Sequence, residues 1–233
     1  MVHATPLIAA LTLVAAVLLG LGAGIVAERM SSQRASLPDS TTRRLAVCAI
    51  CAVAFCAIAL AHGPSPEAVE LAAFAAILLY LSLIDLNERL IPNSCIVAAL
   101  VVRVLYLAFA CATGRMGIAD VGYYVFSACA IGIALFAMAI VADRVFGSES
   151  MGGGDLKLFF VAGLYFGWRQ GVFIVVLACV FGLLTGFASA RRAAQADSGR
   201  LPGASGNAFP FGPAISAACL VAMLVGGHLP AFL

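Results

Sequence analysis

Residues 151–157 read MGGGDLK, and residues 158–168 continue as LFFVAGLYFGW. Three consecutive glycines, Gly152, Gly153 and Gly154, thus deliver Asp155 to the mouth of a run apolar enough to enter a bilayer. A carboxylate there is costly unless it has a task. The glycines strip side chains from the approach, so other backbone or a bound peptide can lie close to the acid. A second acid, Asp85, ends another apolar run within residues 81–93, LSLIDLNERLIPN. The rest of the chain is read as the scaffold that places these two carboxylates.

Composition sets the solvent. Of 233 residues, 64% are hydrophobic and 10% charged, with a mean hydropathy of +1.10. A soluble domain is about half apolar and about a quarter charged. The expected fold class is therefore all-α, a polytopic integral membrane helical bundle with membrane lipid around it. The net charge of +2 says less than where the charges fall. No basic, aromatic-interleaved patch points to nucleic acid. Cys48 and Cys51 form a CxxC, but inside LAVCAICAVAFC, with no second CxxC and no histidine at ligand spacing. The eight cysteines read as small packing residues; no metal and no cofactor is expected.

Hydrophobic runs predict about eight crossings, near residues 1–27, 45–61, 69–84, 94–112, 120–142, 155–166, 172–190 and 208–227. They form a single membrane domain over 1–233. An N-terminal helix pair (1–66) surrounds a polar linker at 28–44, and 67–233 forms the core. No Lys or Arg precedes the first run, so it is expected to stay as an uncleaved helix. Pro66 suits the start of the third helix, Pro92 and Asn93 that of the fourth. Residues 143–154 read as a polar, glycine-rich loop and 167–171, GWRQG, as a turn.

Charge gives the orientation. With the N-terminus outside, the cytoplasmic segments 28–44, 85–93, 143–157 and 191–207 hold ten of the thirteen basic residues, as the positive-inside rule requires. Asp85 and Asp155 are separated by two spans, so both fall at the cytoplasmic face. Two carboxylates that share a site cannot both ionise easily, so the pair holds one proton and titrates as a unit. The ionised member can take a proton from water. The protonated member can polarise a carbonyl and later protonate the leaving amine. On residues alone a plainer reading stands beside this one, with Asp85 at a helix end and Asp155 as an N-cap.

Other residues carry weaker expectations. Lys157 either tunes the pair or anchors the chain at the inner face. Arg103, mid-span, is either packed against an acid or extended toward the interface. Glu67, Glu70 and Asp120 are expected to be solvated at the outer face, and Tyr165 and Trp168 to lie at an interface. His62 reads as interfacial rather than a ligand, and Asp143 with Arg144 as the end of the fifth span.

These motifs resemble the type IV prepilin peptidase family of GxGD aspartyl membrane proteases. Gly152, Gly154 and Asp155 match GxGD, with Gly153 at the free position, and Lys157 and Leu158 match what usually follows. Asp85 with Ile91, Pro92 and Asn93 resembles the first catalytic aspartate and its following triplet. Pro210, Phe211, Gly212 and Pro213 resemble the stretch that opens the final helix. The resemblance implies an endopeptidase of the bacterial inner membrane that removes the leader of prepilin or pseudopilin substrates at the cytoplasmic face. It implies Asp85 and Asp155 as catalytic residues, with Gly152, Gly153, Gly154, Lys157 and Pro210–Pro213 beside them. Long members also N-methylate the product and carry a cysteine-rich domain between the first two spans. Residues 28–44 contain no cysteine, so methyl transfer is not expected. The competing expectations are a small polytopic transporter, whose acids bind protons or cations at a half-helix terminus, and a non-catalytic subunit of a pilus or secretion machine. No oligomeric state follows from the sequence.

Overall fold

In the computed structural model the described residues are 6–34, 40–147, 151–196 and 210–225. They form seven helices: α1 (Pro6–Arg34), α2 (Thr41–His62), α3 (Pro66–Glu88), α4 (Asn93–Ala112), α5 (Ile118–Phe146), α6 (Gly153–Ala196) and α7 (Gly212–Val225). Six are long and apolar enough to cross a membrane. Large apolar side chains such as Leu18, Leu105 and Leu183 face outward, as they do where lipid replaces water.

α6 is not one rod. Gly167 departs from helical geometry, with φ 75° and ψ 177°. A Cβ on Gly171 would lie 3.6 Å from the Cα of Gly163, although eight residues of straight helix advance ~12 Å. The chain therefore reverses at Gly167, giving two arms, α6a (153–166) and α6b (168–196). These are the expected sixth and seventh spans, and the five-residue turn expected between them contracts to one residue with positive φ. A Cβ on Gly167 would strike the Tyr123 ring at 2.7 Å. Counting both arms, the helical segments among the described residues number eight.

The region between the first two spans differs from expectation. Of the polar residues 28–44, 28–34 and 41–44 are helical: α1 runs to Arg34 and α2 begins at Thr41, capped by the Ser40 side chain. The second span is accordingly 22 residues long, where residues 45–61 had suggested a short one. Glu28 was counted with the polar linker, but it is 1% exposed and accepts from Arg43 Nη2 at 2.8 Å and Arg44 Nε at 3.4 Å. Charged residues extend α1 and α2 because they pair with one another across the helix crossing.

Glycine sets how closely α1 and α2 approach. A Cβ on Gly20 would lie 2.7 Å from the Ala52 Cα, and one on Gly24 2.7 Å from the Cys48 Cα. Gly20 and Gly24 are four residues apart, as are Cys48 and Ala52, so two small-residue faces meet backbone to backbone. The matched order shows the helices antiparallel. Further contacts sort the other helix ends. One end of the bundle gathers the C-termini of α1 and α3 with the N-termini of α2, α4, α6 and α7. Arg34 pairs with Glu88 at 3.1 Å, and Asn87 donates to Ser31 Oγ at 3.3 Å. The opposite end joins His62, whose Nε2 lies 2.8 Å from the Met223 carbonyl, with Glu67 3.8 Å from its Nδ1.

The core follows one stripe per helix. Glu70, Phe74, Leu78, Leu81 and Asp85 of α3 are all buried, at spacings of three and four residues that return to one helix face. Glu70 therefore corrects the expectation of a solvated outer acid. Tyr165 is likewise not interfacial: it is buried, stacks on Phe74 with ring centroids 3.8 Å apart, and donates to the Ala99 carbonyl at 2.8 Å. Trp168 is half exposed beside the Gly167 reversal.

The glycine contact makes a paired prediction. Gly24→Leu should destabilise the α1–α2 crossing by about 1–3 kcal/mol through overpacking. Gly22→Leu should not, because a Cβ at Gly22 meets nothing within 4 Å. Thermal unfolding of the two variants in one detergent checks it.

Candidate active site

α3 starts with Ser65 as N-cap, its Oγ accepting from Ala68 N, and Pro66 in the first turn, where a missing N–H costs nothing. It ends at Arg89, a non-glycine residue in the left-handed region (φ 53°, ψ 40°), whose N–H returns to the Asp85 carbonyl at 2.9 Å. Asp85 thus occupies the last turn of α3. Pro92 then starts α4.

Asp85 is buried, and its Oδ2 accepts from the Gly212 N–H at 2.8 Å. Gly212 is the first residue of α7, so this N–H is one of the donors a helix leaves unpaired, at its positive end. A Cβ on Gly212 would sit 2.8 Å from the same oxygen. Only glycine lets the helix start come this close. The PFGP stretch therefore does more than rigidify a helix entry. Phe211 packs its ring against Gly182 of α6b and lies 6.3 Å from the Phe159 ring of α6a. Pro210 and Pro213 flank it, half-buried.

Asp155 is the third residue of α6 and half-buried. The Gly152 backbone lies within hydrogen-bonding reach of its carboxylate, and the Asp85 carboxylate acts on it electrostatically. Both acids therefore sit at helix N-termini, Asp85 at that of α7 and Asp155 at that of its own helix. The glycines differ in what they permit. A Cβ on Gly152 would come within 3.2 Å of Asp155 Oδ2, and one on Gly154 within 2.8 Å of the Ile91 Cβ. At Gly153 it would meet nothing within 4 Å. Lys157 Nζ donates to Asn93 Oδ1 at 2.9 Å, joining α6a to α4.

The three stretches singled out in the sequence are thus brought together by three contacts: Asp85 with Gly212, Gly154 with Ile91, and Lys157 with Asn93. The arrangement offers two carboxylates within range of each other, a backbone donor on one, and an open glycine beside the other. Asp143 and Arg144 lie in the last turn of α5. Sequence reasoning missed the Glu88 and Asn87 links that fasten α1 next to Asp85. It also missed Gly182, whose lack of a side chain admits Phe211. The stripe spacing on α3 was the signal that could have placed Glu70 on the same buried face as Asp85.

The chain is similar to known proteins. Residues 72–187 match the model of the type IV leader peptidase family. A prepilin leader peptidase/N-methyltransferase of Pseudomonas putida is 30% identical over 77% of this chain and 57% of its own length. The Bacillus subtilis (strain 168) protein of the same name is 30% identical over 78% of this chain and 66% of its own length. The corresponding figures for that of Stutzerimonas stutzeri are 30%, 66% and 48%. The chain thus spans about half to two thirds of these relatives, and no solved structure matches it significantly. With Asp85, the IPN triplet and the GGGD turn all inside the matched segment, the chain belongs to the type IV leader peptidase family.

Proposed function

We propose that the protein is a membrane aspartic endopeptidase that removes the N-terminal leader from prepilin-like substrates, with Asp85 and Asp155 as its catalytic pair. The reading is supported by the contacts that set the Asp85 turn against the start of α7 and the Asp155 turn against Ile91 of the α3–α4 turn, with both acids inside the segment matched to the family. The pair works with one proton between its members. The ionised carboxylate accepts a proton from water, and the hydroxide so generated attacks the scissile carbonyl carbon. The protonated carboxylate hydrogen-bonds the carbonyl oxygen as it gains charge. Collapse of the tetrahedral diol breaks the C–N bond, and the leaving nitrogen takes a proton from the carboxyl group. No covalent intermediate is needed.

The site suits a peptide that leaves an apolar helix at the membrane boundary. Backbone unwound there needs new hydrogen-bond partners, and Gly153, where an added Cβ would meet no described residue within 4 Å, leaves room for an extended segment beside Asp155. We place this end of the bundle in the cytoplasm. Arg29, Arg34, Arg43, Arg44, Arg89, Arg144 and Lys157 lie at the helix ends of this face, whereas Arg115 and Arg169 lie toward the other. We propose the peptidase activity alone. The α1–α2 connection is six residues, 35–40, too few for the cysteine-rich insertion that the resemblance attaches to methyl transfer.

Co-expression with a prepilin, followed by leader loss on a gel, tests the reading. Asp85→Asn and Asp155→Asn should each lower the processing rate about 10²–10⁴-fold at unchanged protein level; full processing by either variant excludes that residue from the pair. Gly212→Ala and Gly154→Ala should lower kcat about 10–100-fold, because a shift of about 1 Å at a reacting group can cost that much. The kcat profile against pH should fall on both sides, since the pair works only when singly protonated. A single sigmoid would argue against a shared proton.

A further inference from the structure

Arg103 lies near the middle of α4 and is 3% exposed. Its Nη1 donates to both carboxylate oxygens of Glu70 in α3, at 2.9 and 3.2 Å. Its Nε donates to the Leu164 carbonyl of α6a at 2.9 Å. That carbonyl belongs to the last turn before the Gly167 reversal, where helical acceptors lose their N–H partners. Where lipid is the solvent, water cannot supply the missing donor. A cation is also the charge that suits the negative end of a helix. The remaining nitrogen, Nη2, is buried without a hydrogen-bond partner among the described residues, and the guanidinium carbon lies 4.4 Å from the Tyr124 ring centroid. The planar group is thus shared between an acid, a helix end and a ring face, a division that the single ammonium of lysine cannot reproduce.

The two helices joined by Arg103 are the ones that bear the acids. Glu70 and Asp85 are on one stripe of α3, ~22 Å apart along the axis. Leu164 and Asp155 belong to α6a, ~14 Å apart. Tyr165, next to Leu164, is stacked on Phe74 of that same α3 stripe. A rotation of either helix that separated the carboxylates would have to break these contacts.

We propose that Arg103 and Glu70 are positioning residues: they fix the height and rotation of α3 and α6a at the far end from the site, and so hold Asp85 and Asp155 in register. The proposal rests on the catalytic reading for its kinetic arm only. Glu70→Leu/Arg103→Met removes the pair without leaving a charge unpaired, a replacement that buried pairs often tolerate. Arg103→Lys keeps the charge but loses the planar fork of donors that spans Glu70 and the Leu164 carbonyl.

Both variants are measured for prepilin cleavage and for amide hydrogen exchange in detergent. In each, kcat should fall at least 10-fold with KM within 2-fold, and exchange should rise at least 3-fold at residues 152–158 as well as locally at 163–167. If the double variant does not fold, Arg103→Lys alone decides, on the same two readouts. Wild-type kcat together with exchange that changes only at 163–167 would reduce the pair to a local cap and overturn the proposal. If the wild-type protein cleaves no prepilin, the peptidase reading fails. The exchange at 152–158 still decides whether the clamp reaches the acids.

Discussion

A carboxylate taken out of water must be given donors, and Asp85 takes one from the first amide of α7. That bond commits the rest of the site. It requires α7 to begin against the last turn of α3, which requires residue 212 to lack a side chain. It requires Phe211 to turn away, and the space it enters exists because Gly182 lacks a side chain too. Gly154 allows the Ile91 side chain to approach in the same manner, bringing the start of α6a beside the α3–α4 turn. The second acid then arrives within range of the first. Removing a side chain is how this bundle brings polar backbone to buried charge.

The same economy governs the helix crossings. In lipid, apolar side chains gain little by leaving one apolar medium for another, so tight backbone approach carries more of the association. Gly20 and Gly24 perform that function for α1 and α2. Gly163 does it for α6a against α5, where a Cβ would fall 2.9 Å from the Ala128 Cα. Polar groups inside the bundle are then held by one another. Glu28 takes two arginines at one end, and Glu70 takes Arg103 toward the other. Each pair lies where a helix ends or breaks, and freed backbone groups and charges are satisfied together.

The reversal at Gly167 follows from length. α6a has 14 residues between Gly153 and the break, a rise of ~21 Å against a hydrocarbon core of about 30 Å. One end of this arm therefore lies inside the bilayer, with backbone that lipid cannot satisfy. Arg103 meets that need at one end, through the Leu164 carbonyl. The glycine turn and Asp155 occupy the other. A short helix anchored at both ends is a firm mount for a reacting group, which matters because catalytic geometry tolerates little drift.

Sequence alone determined the solvent, the helices and the acids. A 64% apolar chain broken at glycine and proline has few options besides a lipid-embedded bundle, and the parity of crossings put Asp85 and Asp155 at one end of it. It also determined the GWRQG reversal, because glycine and polar residues interrupt an apolar run there. It misjudged residues 28–44 and Glu70, for one reason: a charged side chain reads as solvated until its partner is known, and Arg43, Arg44 and Arg103 come from other helices. Local pattern reports which residues share a helix face. Only packing of one helix on another decides which faces meet, and so whether a charge meets water or a countercharge, and whether a glycine leaves empty space, as at Gly153, or makes room for an aspartate, as at Gly212.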